Sequence, residues 1–432
     1  MPSVEIVTIG TELLLGSVLD SNSAHIGQGL ASIGLDIYAK HAIGDNEGRI
    51  AATLLAALER SDGVITTGGL GPTVDDLTKE AVARVFDVPL ELHEPSLAAM
   101  SERLARSGRV VSANNRRQAL LPAGAIVLPN LQGTAPGFIA FRGDGRFVAA
   151  LPGVPREMRA MLASVLLPWL REHFGLRGGI VTRTLHTVGM PESEVDARID
   201  DLFRQQENPK IAMLAQAGFV DIKLMAKVDD LATAARLLDP LEETLRERLG
   251  SAIFGVDAAT LESLIIAALR ERKQTIAFAE SCTGGALTAA LVQVPGASTV
   301  LRGGMVAYAN DLKEQCLGVS PALLQEHGAV SEACALAMAA GVLARCGANI
   351  ALATTGIAGP DGGSAEKPVG TVYIAFATDR GRTCVRRYLF AGERAEVRAR
   401  TVVAALSLLL GELRSIQPSL APEYTRKGES ST

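Results

Sequence analysis

A serine followed by a tyrosine and a lysine at short range is the part of this chain with the most chemistry in it. Ser281 lies in the run Ala279-Glu280-Ser281-Cys282-Thr283-Gly284-Gly285, and Tyr308, Asn310 and Lys313 follow. Thr275 to Ala279 predicts a short buried strand and Ala286 to Val292 predicts a helix, so Ser281, Thr283 and the glycines occupy the turn between them. At such a turn the free N–H groups of the new helix can hold developing negative charge, and glycine lets a substrate approach the backbone. A serine is unreactive at neutral pH without a base, and a desolvated lysine is one of the few bases available here. The alternative is that Ser281 and Thr283 only cap the helix. Cys282 is a rival nucleophile, but His327 is the only histidine in this half and a buried thiol is ordinarily inert, which places Ser281 ahead.

Two further segments invite a ligand. Ile350 to Thr355 predicts a strand that runs into Thr355-Gly356-Ile357-Ala358-Gly359-Pro360-Asp361-Gly362-Gly363 and then Lys367-Pro368-Val369-Gly370-Thr371, a binding loop beyond the carboxyl end of a buried strand. No Gly-Lys-Ser/Thr follows, so the loop is not a Walker motif. The other loop follows the predicted strand Gly63 to Thr67: Gly68-Gly69-Leu70-Gly71-Pro72-Thr73-Val74-Asp75-Asp76-Leu77-Thr78. Its glycine N–H groups can surround a phosphate, and Asp75 with Asp76 can hold a hard divalent cation bridging to it; Asp and Thr there could equally be helix caps. Thr66 to Pro72 and Thr354 to Pro360 look alike, two ways of holding phosphate rather than an internal repeat.

The elements that must position these residues alternate between strand and helix. Val4 to Ile9, a helix near Asn22 to Ile33 stopped by Gly34, an extended piece near Leu35 to Ala39, a helix from about Glu47 to Arg60 and the strand Gly63 to Thr67 indicate an α/β fold. Its sheet is expected to be mostly parallel, with helices on both faces. From about Arg177 to Val256 the rhythm is strand, helix, two extended pieces and a long helix, a small α+β unit. The last segment opens near Ala258 with a helix capped by Thr260 and closes on the apolar helix Val397 to Leu413; the polar tail after Gln417 reads as disordered.

Composition narrows the function classes. A chain of 432 residues calls for two or three domains, and 48% apolar residues is ample for buried sheets. The formal charge of −5 argues against a general nucleic-acid binder. All five cysteines lie at or after residue 282 with no Cys-x-x-Cys pair, which fits neither a disulfide framework nor a zinc site and suits a reducing cytoplasm. No signal peptide and no apolar run of membrane-spanning length is expected.

The run AESCTGG, then Tyr308-Ala309-Asn310-Asp311-Leu312-Lys313, Gly328-Ala329-Val330-Ser331-Glu332, TGIAGPDGG and KPVGTV resembles the C-terminal domain of the CinA family, competence/damage-inducible protein A. That domain is similar to nicotinamide mononucleotide (NMN) amidohydrolase, which converts NMN and water to nicotinate mononucleotide and ammonia. The resemblance implies that Ser281 attacks the carboxamide carbon, that Lys313 is its base and that Tyr308 bridges them or relays the proton. It places the oxyanion on N–H groups near Thr283 and Gly284. Gly284, Gly285, Asn310, Thr355, Gly356 and Gly359 would bind the substrate, with no obligatory metal. Arg394 and Arg398, four apart and on one helix face, are candidates to grip the nucleotide phosphate, although that spacing also fits a solvated face.

The first segment resembles the molybdopterin-binding fold through Gly10-Thr11-Glu12-Leu13-Leu14, Asp20 with Asn22, the Gly68 to Thr78 loop, Asn130 with Gly133 to Gly137, and Pro152 to Met158. Ser21 stands where a threonine is common. In CinA proteins this domain is associated with ADP-ribose pyrophosphatase activity that needs a divalent metal ion (Mg, Mn or Co). That implies Asp75 and Asp76 as ligands, Glu12 and Glu157 as helpers, and Asn22, Gly68, Gly69, Gly71 and Thr73 at the substrate. The middle segment resembles a KH-like module without the Gly-x-x-Gly loop that clamps nucleic acid, so a spacer or dimer contact is expected. The resulting organisation is a molybdopterin-binding-like domain at 1–170, a KH-like domain at 177–256 and a deamidase domain at 258–416. The expected protein is a cytoplasmic homodimer acting on pyridine nucleotides. A molybdopterin-binding protein and a non-enzymatic competence or recombination partner are the rivals.

Overall fold

The computed structural model describes residues 2–106, 108–205 and 207–415. The tail after Gln417, read as disordered, lies outside them. Among the described residues two bodies emerge, one within 2–182 together with 225–238 and one within 183–224 together with 239–415.

The first body is built on a six-stranded sheet in the order β2-β1-β3-β8-β7-β6. Its strands are β1 (Ser3–Ile9), β2 (Asp36–Ile43), β3 (Gly63–Thr67), β6 (Ile126–Leu128), β7 (Gly137–Phe141) and β8 (Phe147–Leu151), with β4 (Leu90–Leu92) and β5 (Leu120–Pro122) forming a separate pair. The ladders among β2, β1, β3 and β8 are parallel, and β7 and β6 add antiparallel. Alternation along β1 sends Val4 and Ile6 into one apolar cluster and Val7 and Ile9 into another, so both faces are covered. The helix Ser21–Ser32 is capped by the Asp20 carboxylate, which accepts from Ser23 N–H, and stops where Gly34 takes φ 76°, the left-handed conformation expected of it.

The middle segment supplies β9 (Gly179–Val188), β10 (Lys210–Gln216), β11 (Phe219–Val228) and β12 (Ile253–Val256), ordered β10-β11-β9-β12, with the helices Glu192–Gln205 and Ala234–Leu249.

The second body carries a five-stranded sheet in the order β14-β13-β15-β16-β17: β13 (Ile276–Glu280), β14 (Leu301–Val306), β15 (Ile350–Gly356), β16 (Thr371–Thr378) and β17 (Thr383–Leu389). Strand β13 is parallel to both neighbours, whereas β16 and β17 run antiparallel. The two faces of its centre differ in bulk. Ile276, Phe278, Ile350 and Leu352 point into a large-residue cluster with the helices Leu261–Glu271 and Arg394–Ser415, while Ala277, Ala279, Ala351 and Ala353 face the helix Glu332–Cys346. Alanine on that face lets the helix, itself rich in alanine, pack closely against the sheet. Because β13 and β15 are adjacent and parallel, their carboxyl ends bring the Ser281 turn beside the Thr354 to Pro360 loop.

Candidate active site

The Ser281 turn is tied down on both sides. Ser281 N–H donates to the Thr354 carbonyl (2.9 Å), and Ala307 N–H donates to the Glu280 carbonyl (2.9 Å), so the ends of β14 and β15 fix its backbone. Gly284 and Gly285 have φ 60° and 93°, a path that glycine follows without strain, and the helix Ala286–Val292 starts at once. The free helix N-terminus expected here is already filled. The Glu280 carboxylate, fully buried, accepts from Gly285 N (2.9 Å), Leu287 N (3.0 Å), Thr288 N (2.8 Å) and Thr288 Oγ1 (2.6 Å). Gly284 N donates to the Ser281 carbonyl (3.1 Å). The N–H groups of Gly284, Gly285, Leu287 and Thr288 are therefore engaged within the turn, which leaves the expected oxyanion contact to N–H groups before Gly284. Glu280 was given no role from sequence; the signal was an acidic residue ending an apolar strand just before a helix start, where the dipole favours negative charge.

Lys313 reaches the turn from the helix Asn310–Leu317. Its side chain is 1% exposed, and Nζ lies 3.1 Å from Ser281 Oγ, 2.9 Å from the Ala307 carbonyl and 2.8 Å from the Tyr308 carbonyl. Burial away from water lowers its pKa from the ordinary lysine value, because the charged form loses hydration. Ser281 is buried, with 8% of its surface exposed, beside Lys313. Cys282 is buried with its thiol pushed up to about 12 by desolvation, so the rival nucleophile stays protonated.

Tyr308 and Thr283 do not take the positions expected of catalytic side chains. The Tyr308 hydroxyl accepts from Arg394 Nη2 (3.0 Å) and bridges neither Ser281 nor Lys313; only its carbonyl meets the lysine. The Thr283 hydroxyl is buried against the Thr354 hydroxyl (2.8 Å), so it braces the turn, while its carbonyl accepts from Arg398 Nη2 (2.8 Å). Both arginines flank the site: Arg394 Nη1 also donates to the Gly359 carbonyl (2.8 Å). Their helix begins at Arg394, three residues before the expected Val397, so both arginines lie in its first turns.

The glycine loop is a packed structure. A Cβ on Gly356 would press into Val372 and the Thr371 carbonyl, and Gly359, at φ 85°, lies against Val369. The Thr355 hydroxyl donates to the Ala329 carbonyl (2.7 Å), which makes it a tether rather than a ligand contact. Asn310, exposed, opens the lysine helix.

In the first body the Gly68 to Thr78 loop closes on itself. Gly68 (φ 105°) and Gly69 (φ 66°) are required, since a Cβ would collide with the Ile9 carbonyl and the Thr78 hydroxyl respectively. The Asp76 carboxylate accepts from Gly71 N (2.7 Å), Thr73 N (2.8 Å) and the Thr73 hydroxyl. Asp75 is exposed, with its pKa lowered chiefly by the Thr73 hydroxyl. Glu157 accepts from Asn130 Nδ2 (2.7 Å), and Glu12 folds over Gly10. Among the described residues no group of three or more His, Cys, Asp or Glu side chains stands together as a metal cage. Asp76 is engaged as a loop clamp with exposed Asp75 beside it, so a divalent ion here would be held by this pair together with substrate phosphates, and no step is derived through one. Asn22 Nδ2 donates to Thr67 Oγ1 (3.0 Å) and the Gly153 carbonyl (2.8 Å), while its buried Oδ1 finds no partner among the described residues.

Family models match this chain in three consecutive stretches: "Probable molybdopterin binding domain" at residues 5–172, "Damage-inducible protein CinA KH domain" at 182–255 and "CinA C-terminal domain" at 258–413. A CinA-like protein of Prochlorococcus marinus (strain MIT 9313) is 45% identical over 88% of this chain and 88% of its own length. A CinA-like protein of Synechococcus sp. (strain CC9902) is 44% identical over 94% of this chain and 97% of its own. The chain belongs to the CinA family. A solved relative, the competence damage-inducible protein A (ComA) of Klebsiella pneumoniae, is 40% identical and covers 36% of this chain and 97% of its own, with a TM-score of 0.35. The α/β class and the molybdopterin-binding-like, KH-like and CinA C-terminal components expected from sequence are those of this family member. Among the described residues no helix is long and apolar enough to cross a membrane.

Proposed function

We propose that the C-terminal part of this CinA protein hydrolyses the carboxamide of NMN to nicotinate mononucleotide and ammonia through Ser281 and Lys313. The observation that carries this reading is the buried Lys313 amine 3.1 Å from Ser281 Oγ, with two backbone carbonyls as its other partners. A neutral amine has two hydrogens and one lone pair. With the hydrogens on the carbonyls of Ala307 and Tyr308, the lone pair faces the serine hydroxyl, the geometry a general base needs. Burial favours that neutral form.

In the proposed reaction Lys313 takes the hydroxyl proton as Ser281 Oγ bonds to the carboxamide carbon. The resulting ammonium stands beside the oxyanion, a charge supplied where the helix N-terminus is not free. Collapse breaks the C–N bond, the proton passes to the leaving nitrogen, and ammonia departs from an acyl-serine ester. Water, deprotonated by the regenerated amine, then releases nicotinate mononucleotide. Arg394 and Arg398 are the proposed phosphate contacts, since guanidinium groups can bind it bidentately. Incubating the full chain with NMN, with and without a chelator, tests the reading: equal release of ammonia and nicotinate mononucleotide in both is expected, and no product from folded protein would refute it.

For the N-terminal part the proposed ligand is a pterin or ADP-ribose offering an N–H or O–H donor to Asn22 Oδ1, the acceptor beside the glycine loop that finds no partner among the described residues. Titration with ADP-ribose and assay of AMP release, each with and without a divalent ion, separate binding from hydrolysis.

A further inference from the structure

Tyr308 is held at both ends. Its carbonyl oxygen accepts from Lys313 Nζ (2.8 Å), the nitrogen that lies 3.1 Å from Ser281 Oγ. Its phenol oxygen accepts from Arg394 Nη2 (3.0 Å), whose other terminal nitrogen binds the Gly359 carbonyl (2.8 Å). The phenol ring thus spans the interval between the serine–lysine pair and the arginine-bearing helix, yet the residue is 56% exposed. An aromatic anchored through backbone and hydroxyl has little motion left to lose when a ligand covers it. The hydroxyl is turned toward Arg394, so a place in the proton path is not what fixes this residue.

We propose that Tyr308 is the ring platform of the site, selecting substrates whose reacting carboxamide is carried on a planar, positively charged heteroaromatic ring. The proposal rests on the deamidase reading. Arg394, a proposed phosphate contact, also holds the Tyr308 hydroxyl, and the Tyr308 carbonyl meets the lysine beside Ser281, so a nucleotide joining Ser281 to that arginine passes the Tyr308 ring. The pyridinium of NMN is a cation, and a tyrosine face attracts a cation by about 0.5–2 kcal/mol, equivalent to about 2- to 30-fold in affinity. A neutral ring of the same shape forgoes that term and keeps only contact area.

Steady-state kinetics of the full chain and its Tyr308→Phe and Tyr308→Leu variants decide the matter, with ammonia release from NMN as the assay and the neutral 1,4-dihydro form of NMN as a competitive inhibitor. For Tyr308→Leu, KM for NMN is expected to rise about tenfold, kcat to stay within about threefold, and the inhibition constant of the dihydro form to move less than about twofold. Tyr308→Phe keeps the ring face and is expected to raise KM by no more than about threefold. A fall in kcat in Tyr308→Phe as deep as in Tyr308→Leu would return the hydroxyl to the chemistry and overturn the platform. So would an unchanged KM in Tyr308→Leu, or equal rises for the charged and neutral rings. Failure of the parent protein to release ammonia overturns the deamidase reading and the platform together; release that is indifferent to Tyr308 overturns the platform alone.

Discussion

The loops Thr66 to Pro72 and Thr354 to Pro360 share the pattern Thr-Thr-Gly-x-x-Gly-Pro and each follows a buried central strand, yet they are held in opposite ways. The first is closed from within, by Asp76 across Gly71 and Thr73 and by the Thr78 hydroxyl on the Gly68 carbonyl (2.8 Å). The second is braced from outside, by Arg394 on Gly359, and lies beside a turn that carries a nucleophile with a buried amine. The lesson is that a glycine-rich strand end marks a place where backbone comes close to something. The side chains that reach it from elsewhere in the chain decide whether it does chemistry.

The largest effect that would break this contrast is expected from Lys313. Lys313→Met is predicted to lower kcat/KM for NMN by about 10²- to 10⁴-fold, the usual contribution of a positioned base. In the parent protein kcat/KM is expected to rise with pH and level off below the ordinary lysine range, because the neutral amine is the active form and burial lowers its pKa. A rate that falls as pH rises through that limb would reverse the assignment. Removing the outside brace comes next. Arg394→Ala or Arg398→Ala is predicted to raise KM about 10- to 100-fold with a smaller change in kcat, as expected for the loss of a charge-assisted bond to phosphate. Kinetics on NMN beside its phosphate-free riboside check this, since the riboside should lose less than NMN does.

Smaller effects are expected where a carboxylate only organises backbone. Glu280→Gln puts amide hydrogens against N–H groups and is predicted to cost about 1–3 kcal/mol of stability in denaturant titration. Its counterpart in the other loop, Asp76→Asn, is predicted to cost about 1 kcal/mol and to leave ammonia release within about twofold of the parent. A large loss of deamidation in Asp76→Asn would show that the two loops do not work separately.

Much of this was legible in the sequence because the relevant signals are local. Continuous apolar runs marked β1, β13 and β15, Gly34 stopped its helix, Thr260 capped one, and the turn between Glu280 and Ala286 followed from a strand meeting a helix. Ser281 and Lys313, 32 residues apart, could be paired only through resemblance, and the structure puts them in contact. What stayed hidden was the long-range competition for polar groups. Glu280 and Asp76 clamp donors within eight residues of themselves, where a carboxylate beside a helix start or a turn was the local signal; that Arg394 takes the Tyr308 hydroxyl, 86 residues away, has no such signal.

The account stands most directly on the identity of the nucleophile. Ammonia release from NMN in the presence of chelator should be compared for the parent protein, Ser281→Ala and Cys282→Ala. The prediction is a fall on the order of 10⁴-fold or more for Ser281→Ala with substantial activity kept by Cys282→Ala; parent-like turnover in Ser281→Ala, or its abolition in Cys282→Ala alone, would contradict it.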